Sequence, residues 1–225
     1  MQDPKYVKDA FTDIADKYVF TNHVLSFGID ILWRRKVAKM IKHRDPINVL
    51  DIATGSGDLA LEIQKKCPNA EVIGSDFCEP MLQQAEKRGL KKTVLADALN
   101  LPFSDNFFNA VTVGFGLRNM ADWSVALNEM FRVLSSNGYL IILDFSLPKG
   151  SLGRKMYRSY LHNVLPAVAG LITGKRSAYR YLGGTIESFP SGKEMCSLIE
   201  SRGFSNSKFH PLSGGIATIY SAEKY

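Results

Sequence analysis

The residues whose types and spacing are best suited to bind a ligand lie between Asp51 and Asp76. Residues 47–52 are mostly apolar and predict a buried strand, and the turn that follows, Gly55-Ser56-Gly57-Asp58, leads into apolar residues at helical spacing. The two glycines let the backbone approach a ligand closely, and the first N–H groups of a helix can bind its polar groups. This order of elements predicts a nucleotide-binding unit. A plain glycine-rich connection from strand to helix is the alternative.

Acids at the ends of two strands indicate which type of nucleotide this unit binds. Asp51 ends the first strand, where a carboxylate disfavours a pyrophosphate and favours a cation, and the third glycine of a dinucleotide-binding turn is missing. Asp76 ends the second strand about 20 residues after the glycines, the spacing of an acid that binds ribose hydroxyls. S-adenosylmethionine, an adenosine with a positive centre, fits both acids. We assign Asp51, Gly55, Gly57 and Asp76 to this cofactor.

The segment is similar to the class I methyltransferase signature D/E-x-G-x-G-x-G, with Ala53 in place of the first glycine. The rest of the chain alternates between strand and helix in the way such a fold requires. Further strands are predicted at 70–75, 93–96, 108–113, 139–143, 204–211 and 215–220, and helices at 80–88 and 123–134. Asn137-Gly138 is predicted to end the second of these helices.

This alternation predicts an α/β fold, a doubly wound and mostly parallel seven-stranded sheet that carries its ligand at the carboxyl ends of the strands. We expect a single domain over residues 1–225. Residues 1–46 are its N-terminal helical segment, in which Gly28 separates two amphipathic helices. Residues 149–190 form a helical insertion or lid.

Positive charge is concentrated in the C-terminal third of the chain. The net charge is +6, and residues 149–225 hold eleven Lys and Arg against four Asp and Glu, whereas residues 51–148 are acidic. Such an imbalance favours an anionic partner, either a membrane surface or a nucleic acid.

Residues 149–181 combine basic, aromatic and apolar side chains. They include four tyrosines, no acid and a nearly uncharged stretch, 161–172, which is typical of an element at a membrane interface, although a solvated lid has the same composition. RNA would favour continued basic groups, so we expect no nucleic-acid partner. The basic residues are Lys149, Arg154, Lys155, Arg158, Lys175, Arg176 and Arg180.

Cysteine usage indicates the compartment. Cys67, Cys78 and Cys196 are scattered without metal-ligand spacing, which predicts reduced thiols, no metal site and a cytoplasmic protein. The N-terminus lacks the apolar core of a signal peptide, and the apolar stretch 164–172 is too short to span a bilayer. We expect at most a peripheral contact with the inner face of the membrane. These features are compatible with an oligomer.

The end of the fourth strand indicates which atom is methylated. It carries Gly114-Phe-Gly-Leu-Arg-Asn119 and lacks the Asn/Asp-Pro-Pro-aromatic clamp of enzymes that methylate exocyclic amines. A cysteine nucleophile is also missing from the strand ends, so carbon or oxygen of a small molecule remains. We expect Arg118 to project from this strand end into the cleft, where it is a candidate fixed cation for a phenolate that forms during the reaction. An ion pair of Arg118 with Asp97 or Asp122 is the structural alternative.

The chain resembles the ubiquinone/menaquinone C-methyltransferase family over nearly its whole length. The most specific matches are Phe115-Gly-Leu-Arg-Asn119 and Tyr179-Arg-Tyr-Leu182, supported by the stretches 49–59, 76–82, 96–103, 126–134, 186–190 and 213–217. The resemblance implies C-methylation of a membrane-resident polyprenylated quinol, first of all demethylmenaquinol. A benzoquinol of ubiquinone biosynthesis is the alternative. More distant alternatives are an RNA-binding methyltransferase and an NAD-dependent oxidoreductase.

The resemblance also implies site residues. Cofactor contacts fall on Ser56, Asp76, Asp97, Ala98 and Gly114. The substrate is assigned to Asn119 and to the loop that holds Tyr18, Asn22 and His23, with His23 as a candidate base because it titrates near neutrality. This loop departs from the family, since Tyr18-Val-Phe-Thr-Asn22 replaces Tyr-Asp-x-Met-Asn.

Overall fold

A seven-stranded sheet forms the centre of the computed structural model, which describes Thr12, Ser26 and residues 28–173 and 183–225. The strand order is β3-β2-β1-β4-β5-β7-β6, and β7 alone runs antiparallel to its neighbours β5 and β6. The strands are β1 (Asn48–Ile52), β2 (Glu71–Asp76), β3 (Lys92–Leu95), β4 (Phe108–Gly114), β5 (Leu134–Phe145), β6 (Ser205–Leu212) and β7 (Ala217–Glu223). The predicted α/β class and mostly parallel sheet are confirmed.

Helices cover both faces of the sheet. They are α1 (Ile29–Lys42), α2 (Asp58–Lys66), α3 (Glu79–Lys87), α4 (Trp123–Val133), α5 (Ser151–Ser159), α6 (Leu165–Thr173) and α7 (Lys193–Glu200), and residues 183–188 are also helical. Among the described residues, no helix is both long and apolar enough to cross a bilayer.

Alternating side chains of the strands build two apolar layers. On one face, Leu50 and Val111 pack with α4 and α7; on the other, Val49 and Ala110 pack with α1 and α2. Because successive side chains of a strand point to opposite faces, a central strand must be apolar on both. This two-sided burial fixes the register of the sheet, and with it the position of each strand end.

Helix boundaries agree with the sequence at Gly28 and differ after α4. Gly28 precedes α1 with a φ of 74°, as expected of a break. The predicted stop of α4 at Asn137-Gly138 is wrong. The helix ends at Val133 and β5 starts at once, so the left-handed Asn137, with a φ of 61°, lies inside the strand instead.

In its described residues, the segment after β5 is helical over 151–173 and 183–188. Helix α5 continues through a π-helical turn, Tyr160–Val164, into α6. Buried residues of this segment, Leu161 and Leu165, form a small cluster with Ile186 and pack against Phe145 at the end of β5. The insertion therefore rests on the edge of the sheet where the strands β4 and β5 end.

Candidate active site

A cleft opens at the carboxyl ends of β1, β2 and β4. Its volume, counted out to the open mouth, is about 800 Å³. The sheet grows from β1 outward to β3 and then continues on the other side of β1 with β4. The cleft lies at this switch between β1 and β4, the position at which doubly wound sheets bind ligands. The lining residues are Ile52, Ala53, Gly55, Asp76, Phe77, Met81, Ala96, Asp97, Ala98, Leu99, Gly114, Phe115, Gly116, Asn119, Met120 and Ala121.

Glycines shape the floor of the cleft. Gly55 has a φ of 56°, and its N–H points to the second strand, where it donates to Asp76 at 2.8 Å. A Cβ on Gly116 would lie 2.5 Å from the Cβ of Ala53, so the two loops can meet only without a side chain there. Gly57 serves packing, since a Cβ on it would come within 3.0 Å of Ala85 on α3.

Asp76 presents a carboxylate to the cleft from the end of β2. Its oxygens accept the N–H groups of Gly55 at 2.8 Å and Cys78 at 2.9 Å, which fix the side chain in place. Burial raises the pKa of Asp76 to about 6, and the backbone N–H donors partly oppose that shift. The site therefore holds an oriented acid with accepting capacity left for a ligand hydroxyl.

The prediction that Asp51 faces the ligand is wrong. Asp51 is buried beneath the turn, where its two oxygens accept the hydroxyls of Thr112 at 2.6 Å and Thr54 at 2.7 Å, and it does not line the cleft. Burial raises its pKa to about 6. Asp51 thus ties β1 to β4 and to the glycine turn, and its part in binding is to hold that turn.

The remaining predicted cofactor residues divide between the cleft and the turn behind it. Asp97, Ala98 and Gly114 line the cleft, and the Asp97 carboxylate accepts the N–H of Leu99 at 2.9 Å, which shapes the short loop after β3. Ser56 is outside the lining, because its hydroxyl donates to Asp58 at 2.8 Å.

Of the predicted substrate residues, the structure locates one. Asn119 lines the cleft from the short helical turn after β4. Tyr18, Asn22 and His23 lie outside the described residues.

Arg118 lies in a buried ion pair. Its Nη1 donates to Asp144 at 2.8 Å and also to the carbonyl of Phe115, and only 4% of its side chain is exposed. The partners considered from the sequence, Asp97 and Asp122, are therefore wrong, and the expected projection of Arg118 into the cleft is not seen, since it is not a lining residue. Within the described chain, Arg118 Nε is buried without a hydrogen-bond partner.

Aromatic rings enclose the Arg118 guanidinium on the side of the insertion. Its carbon lies 5.2 Å from the ring centre of Phe145, which packs on Phe115 with 4.6 Å between centroids. Tyr157 of α5 stacks on Tyr160, and burial raises the pKa of Tyr157 while the charge of Arg118 lowers it. Arg118 therefore occupies an apolar compartment beneath α5, separated from the cleft by the ring of Phe115.

Several lining residues were not predicted from the sequence. Phe77, Met81 and Phe115 give the cleft its apolar walls. Phe115 has a φ of 60°, unusual for a bulky residue, and is held by its contacts with Phe145 and Trp33. Its place between two glycines, Gly114 and Gly116, was the available signal, because such a run marks a strained strand end.

The fold is that of the class I S-adenosylmethionine-dependent methyltransferases. One solved relative in fold is a SAM-dependent methyltransferase from Thermotoga maritima, with a TM-score of 0.59 at 19% identity, covering 93% of this chain and 100% of that one. The cleft lies at the strand ends where this architecture places its ligand.

The chain belongs to the ubiE/COQ5 methyltransferase family, whose model matches residues 1–224. It is 44% identical to a demethylmenaquinone methyltransferase of Thermus thermophilus over 95% of this chain and 99% of that protein. It is 39% identical to a ubiquinone/menaquinone biosynthesis C-methyltransferase of Geotalea daltonii over 97% of this chain and 96% of that one. The predicted family is confirmed.

Proposed function

We propose that the protein transfers a methyl group from S-adenosylmethionine to a ring carbon of a polyprenylated quinol, with demethylmenaquinol as the principal substrate. The main support is the cleft of this ubiE/COQ5 family member. Two backbone N–H groups orient the Asp76 carboxylate there, and the cleft has room for a ligand. The two curated relatives above act, by their names, in menaquinone or ubiquinone biosynthesis.

The residues of the cleft fit the proposed cofactor. Asp76 would accept the ribose hydroxyls, and Asp97 and Ala98 form the adjoining wall. Gly55, Gly114 and Gly116 let the loops of the cleft pack closely, because a Cβ there would come within 3.2 Å of Met81, Leu59 and Ala53 respectively. When bound, S-adenosylmethionine supplies the methyl group at its sulfonium. The apolar walls at Phe77, Met81 and Phe115 exclude water, which would otherwise weaken the electrostatic contacts of the site.

Arg118 is the proposed cation of the reaction. A new ring carbon–methyl bond forms while the sulfur–methyl bond breaks, and the ring carbon then loses its proton. A quinol oxygen deprotonated beforehand makes that carbon electron-rich and carries the negative charge. The buried Arg118 Nε, unpartnered among the described residues, is a donor that such an oxygen can satisfy from the side of α5. His23 remains the candidate base.

Incubation with two quinols tests the substrate. Purified protein is given methyl-labelled S-adenosylmethionine with either a short-chain demethylmenaquinol or the matching benzoquinol, both kept reduced. We expect label on the naphthoquinol ring carbon at a kcat/KM at least about tenfold above that for the benzoquinol, the scale of one well-fitted apolar contact. Faster labelling of the benzoquinol would reverse the assignment. Label on oxygen would contradict C-methylation.

Removing the Asp76 carboxylate is expected to weaken cofactor binding. Asp76→Ala loses a charged acceptor, so affinity for S-adenosylhomocysteine, measured by calorimetry, falls by roughly 1.5–3 kcal/mol. Glu79→Ala, which removes an exposed acid three residues away, is the control and leaves affinity unchanged. Equal affinity in native protein and a folded Asp76→Ala variant would refute the ribose contact.

The pH dependence of binding is a second readout of Asp76. Because its pKa is about 6, one pH unit lower leaves roughly one-tenth of the carboxylate ionised, and affinity for S-adenosylhomocysteine falls by about tenfold at pH 5. Asp76→Asn should lack this part of the pH profile. Weaker binding at pH 5 is not due to unfolding caused by protonation of Asp76. A carboxyl whose pKa is raised on folding stabilises the folded chain when it is protonated.

We further infer that residues 149–181 hold the enzyme at an anionic membrane, because the proposed substrate has an isoprenoid tail. Helix α5 has no buried residue and exposes Leu152, at 71%, and Met156 beside Lys155. Leu171 of α6 is 88% exposed. Exposed apolar and basic groups on one insertion suit a headgroup region. Tyr157 of the same insertion lies near enough to Arg118 for that charge to act on its pKa.

Sedimentation with liposomes tests the membrane contact. Changing Arg154, Lys155 and Arg158 together to Gln should lower binding to anionic vesicles by at least about tenfold, since each basic group near the surface contributes about 1 kcal/mol. Binding should also fall with salt. Changing Lys65, Lys66 and Lys91 to Gln removes the same charge from exposed positions of another face. If both triple variants pellet alike, the insertion is a solvated lid.

A further inference from the structure

Helix α4 carries a pair of charged residues that the mechanism above does not use. Arg132 donates to Glu129, one helical turn earlier, from Nε to Oε1 and from Nη2 to Oε2, both at 2.7 Å. Its Nη1 donates to the carbonyl of Phe103 and to Asp105, again at 2.7 Å, and its Nη2 also donates to the carbonyl of Leu101 at 2.9 Å. These bonds use all five N–H groups of the guanidinium.

The pair holds the backbone that follows β3. Glu129 Oε2 accepts the N–H of Leu101 at 2.8 Å, so the N–H and the carbonyl of Leu101 both bond to α4. At its other end this segment is tied to β2, where the N–H of Ala96 donates to the carbonyl of Asp76 at 3.0 Å. Residues 97–99, which line the cleft, lie between these two ties. The pair therefore fixes one end of a wall of the cleft.

Ionic and apolar contacts act together on this segment. Hydrogen bonds from Arg132 hold the pKa of the Glu129 carboxyl below its usual value, so the pair is ionised at neutral pH. Leu101 is 3% exposed and packs in the core, and Ala98 and Leu99 pack against the same cluster. Apolar packing is non-directional, whereas a bidentate ion pair imposes a geometry. The pair therefore decides how the backbone of the segment is oriented.

We infer that the Glu129–Arg132 pair positions residues 97–99 against the base of S-adenosylmethionine and so sets the preference of the site for adenine. The inference rests on the proposed cofactor. With the ribose at Asp76, the base lies along the adjoining wall, where the Asp97 carboxylate has accepting capacity for the exocyclic amine of adenine. The pair touches no part of the cofactor and acts through the segment that it holds. A shifted segment would lose the contact with the amine while the rest of the cofactor stays bound.

Two ligands that differ only in the base test this assignment. The full-length protein is titrated by calorimetry with S-adenosylhomocysteine and with S-inosylhomocysteine, in which a carbonyl oxygen replaces the exocyclic amine. A carboxylate accepts from an amine and repels a carbonyl oxygen, so the native protein should prefer S-adenosylhomocysteine by about 10- to 100-fold. Arg132→Met, which removes the ion pair, should lose about tenfold of this preference, mainly because S-adenosylhomocysteine binds more weakly.

The ratio of the two affinities separates positioning from folding. Partial unfolding lowers both apparent affinities by one factor and leaves their ratio unchanged. Arg132→Lys keeps the charge without the planar fork and should recover only part of the preference. The control Asp105→Asn removes a partner of Arg132 whose side chain is 67% exposed, and it should leave the ratio within about twofold, because such an ion pair contributes little.

Glu129→Gln decides the matter even where Arg132→Met does not fold. It keeps an oxygen for the N–H of Leu101 but removes the charge and one arm of the bidentate pair, so the preference should fall by about three- to tenfold. A native ratio in every folded variant of the pair shows that the pair serves stability alone, and overturns the inference.

The native protein separates this inference from the proposed function. If it binds both ligands equally, the segment does not read the base, and the inference fails while the proposed function stands. If it binds neither, the proposed cofactor fails, and the inference with it.

Discussion

We expect Arg118→Ala to lower kcat by about 10²–10³-fold, the loss typical of removing one donor to a developing negative charge. The affinity for S-adenosylhomocysteine, measured by calorimetry, should change by no more than about twofold, because Arg118 lies outside the cofactor cleft. The large effect on kcat is expected because the guanidinium is buried beside Phe145 and Tyr157, where water cannot screen its charge. Turnover is measured with saturating reduced quinol.

Two variants distinguish catalysis from folding. Arg118→Lys keeps a cation near Asp144 and should recover only part of kcat, since an ammonium cannot reproduce the guanidinium fork. The double variant Arg118→Leu with Asp144→Leu removes both charges, so it avoids a lone buried carboxylate, and it should remain as slow as Arg118→Ala. A folded double variant with native turnover would show that Arg118 serves structure alone.

The fold could be predicted from the sequence because its signals are local and repeated. Each central strand is an apolar run between turns, and the acid or glycine at its end, as at Asp76 and Gly114, marks the edge where loops gather. Strand and helix alternation then leaves few topologies, since parallel crossovers have one hand. Local patterns were therefore sufficient to locate the cleft.

The contacts within the site depend on register, which the sequence alone does not provide. Asp144 directly follows the strand predicted at 139–143, yet its pairing with Arg118 depends on β4 and β5 being neighbours, with Gly114 opposite Leu143. Asp51 was correctly placed at a strand end, but whether its carboxylate faces the ligand or the hydroxyls of Thr54 and Thr112 is decided by side-chain geometry.

The pairing of Asp144 with Arg118 has a large expected effect on stability. Asp144 is buried, and besides the Arg118 side chain it accepts the backbone N–H groups of Arg118 at 3.3 Å and Phe145 at 2.8 Å. Burial raises its pKa, and the charge of Arg118 opposes that shift. Asp144→Ala leaves a buried guanidinium without its counterion, so we expect a loss of about 3–5 kcal/mol in the free energy of unfolding.

Urea unfolding of four proteins measures this loss, as a shift of the midpoint at unchanged slope. The control Asp122→Ala removes an acid that caps α4, by accepting the N–H of Ser124 at 2.8 Å, and should cost only about 0.5–2 kcal/mol. The double variant with Leu at 118 and 144 should regain most of the stability lost in Asp144→Ala, because no charge remains buried. If Asp144→Ala unfolds with the native midpoint, the pair does not stabilise the strand ends, and Arg118 must be held by the aromatic rings around it.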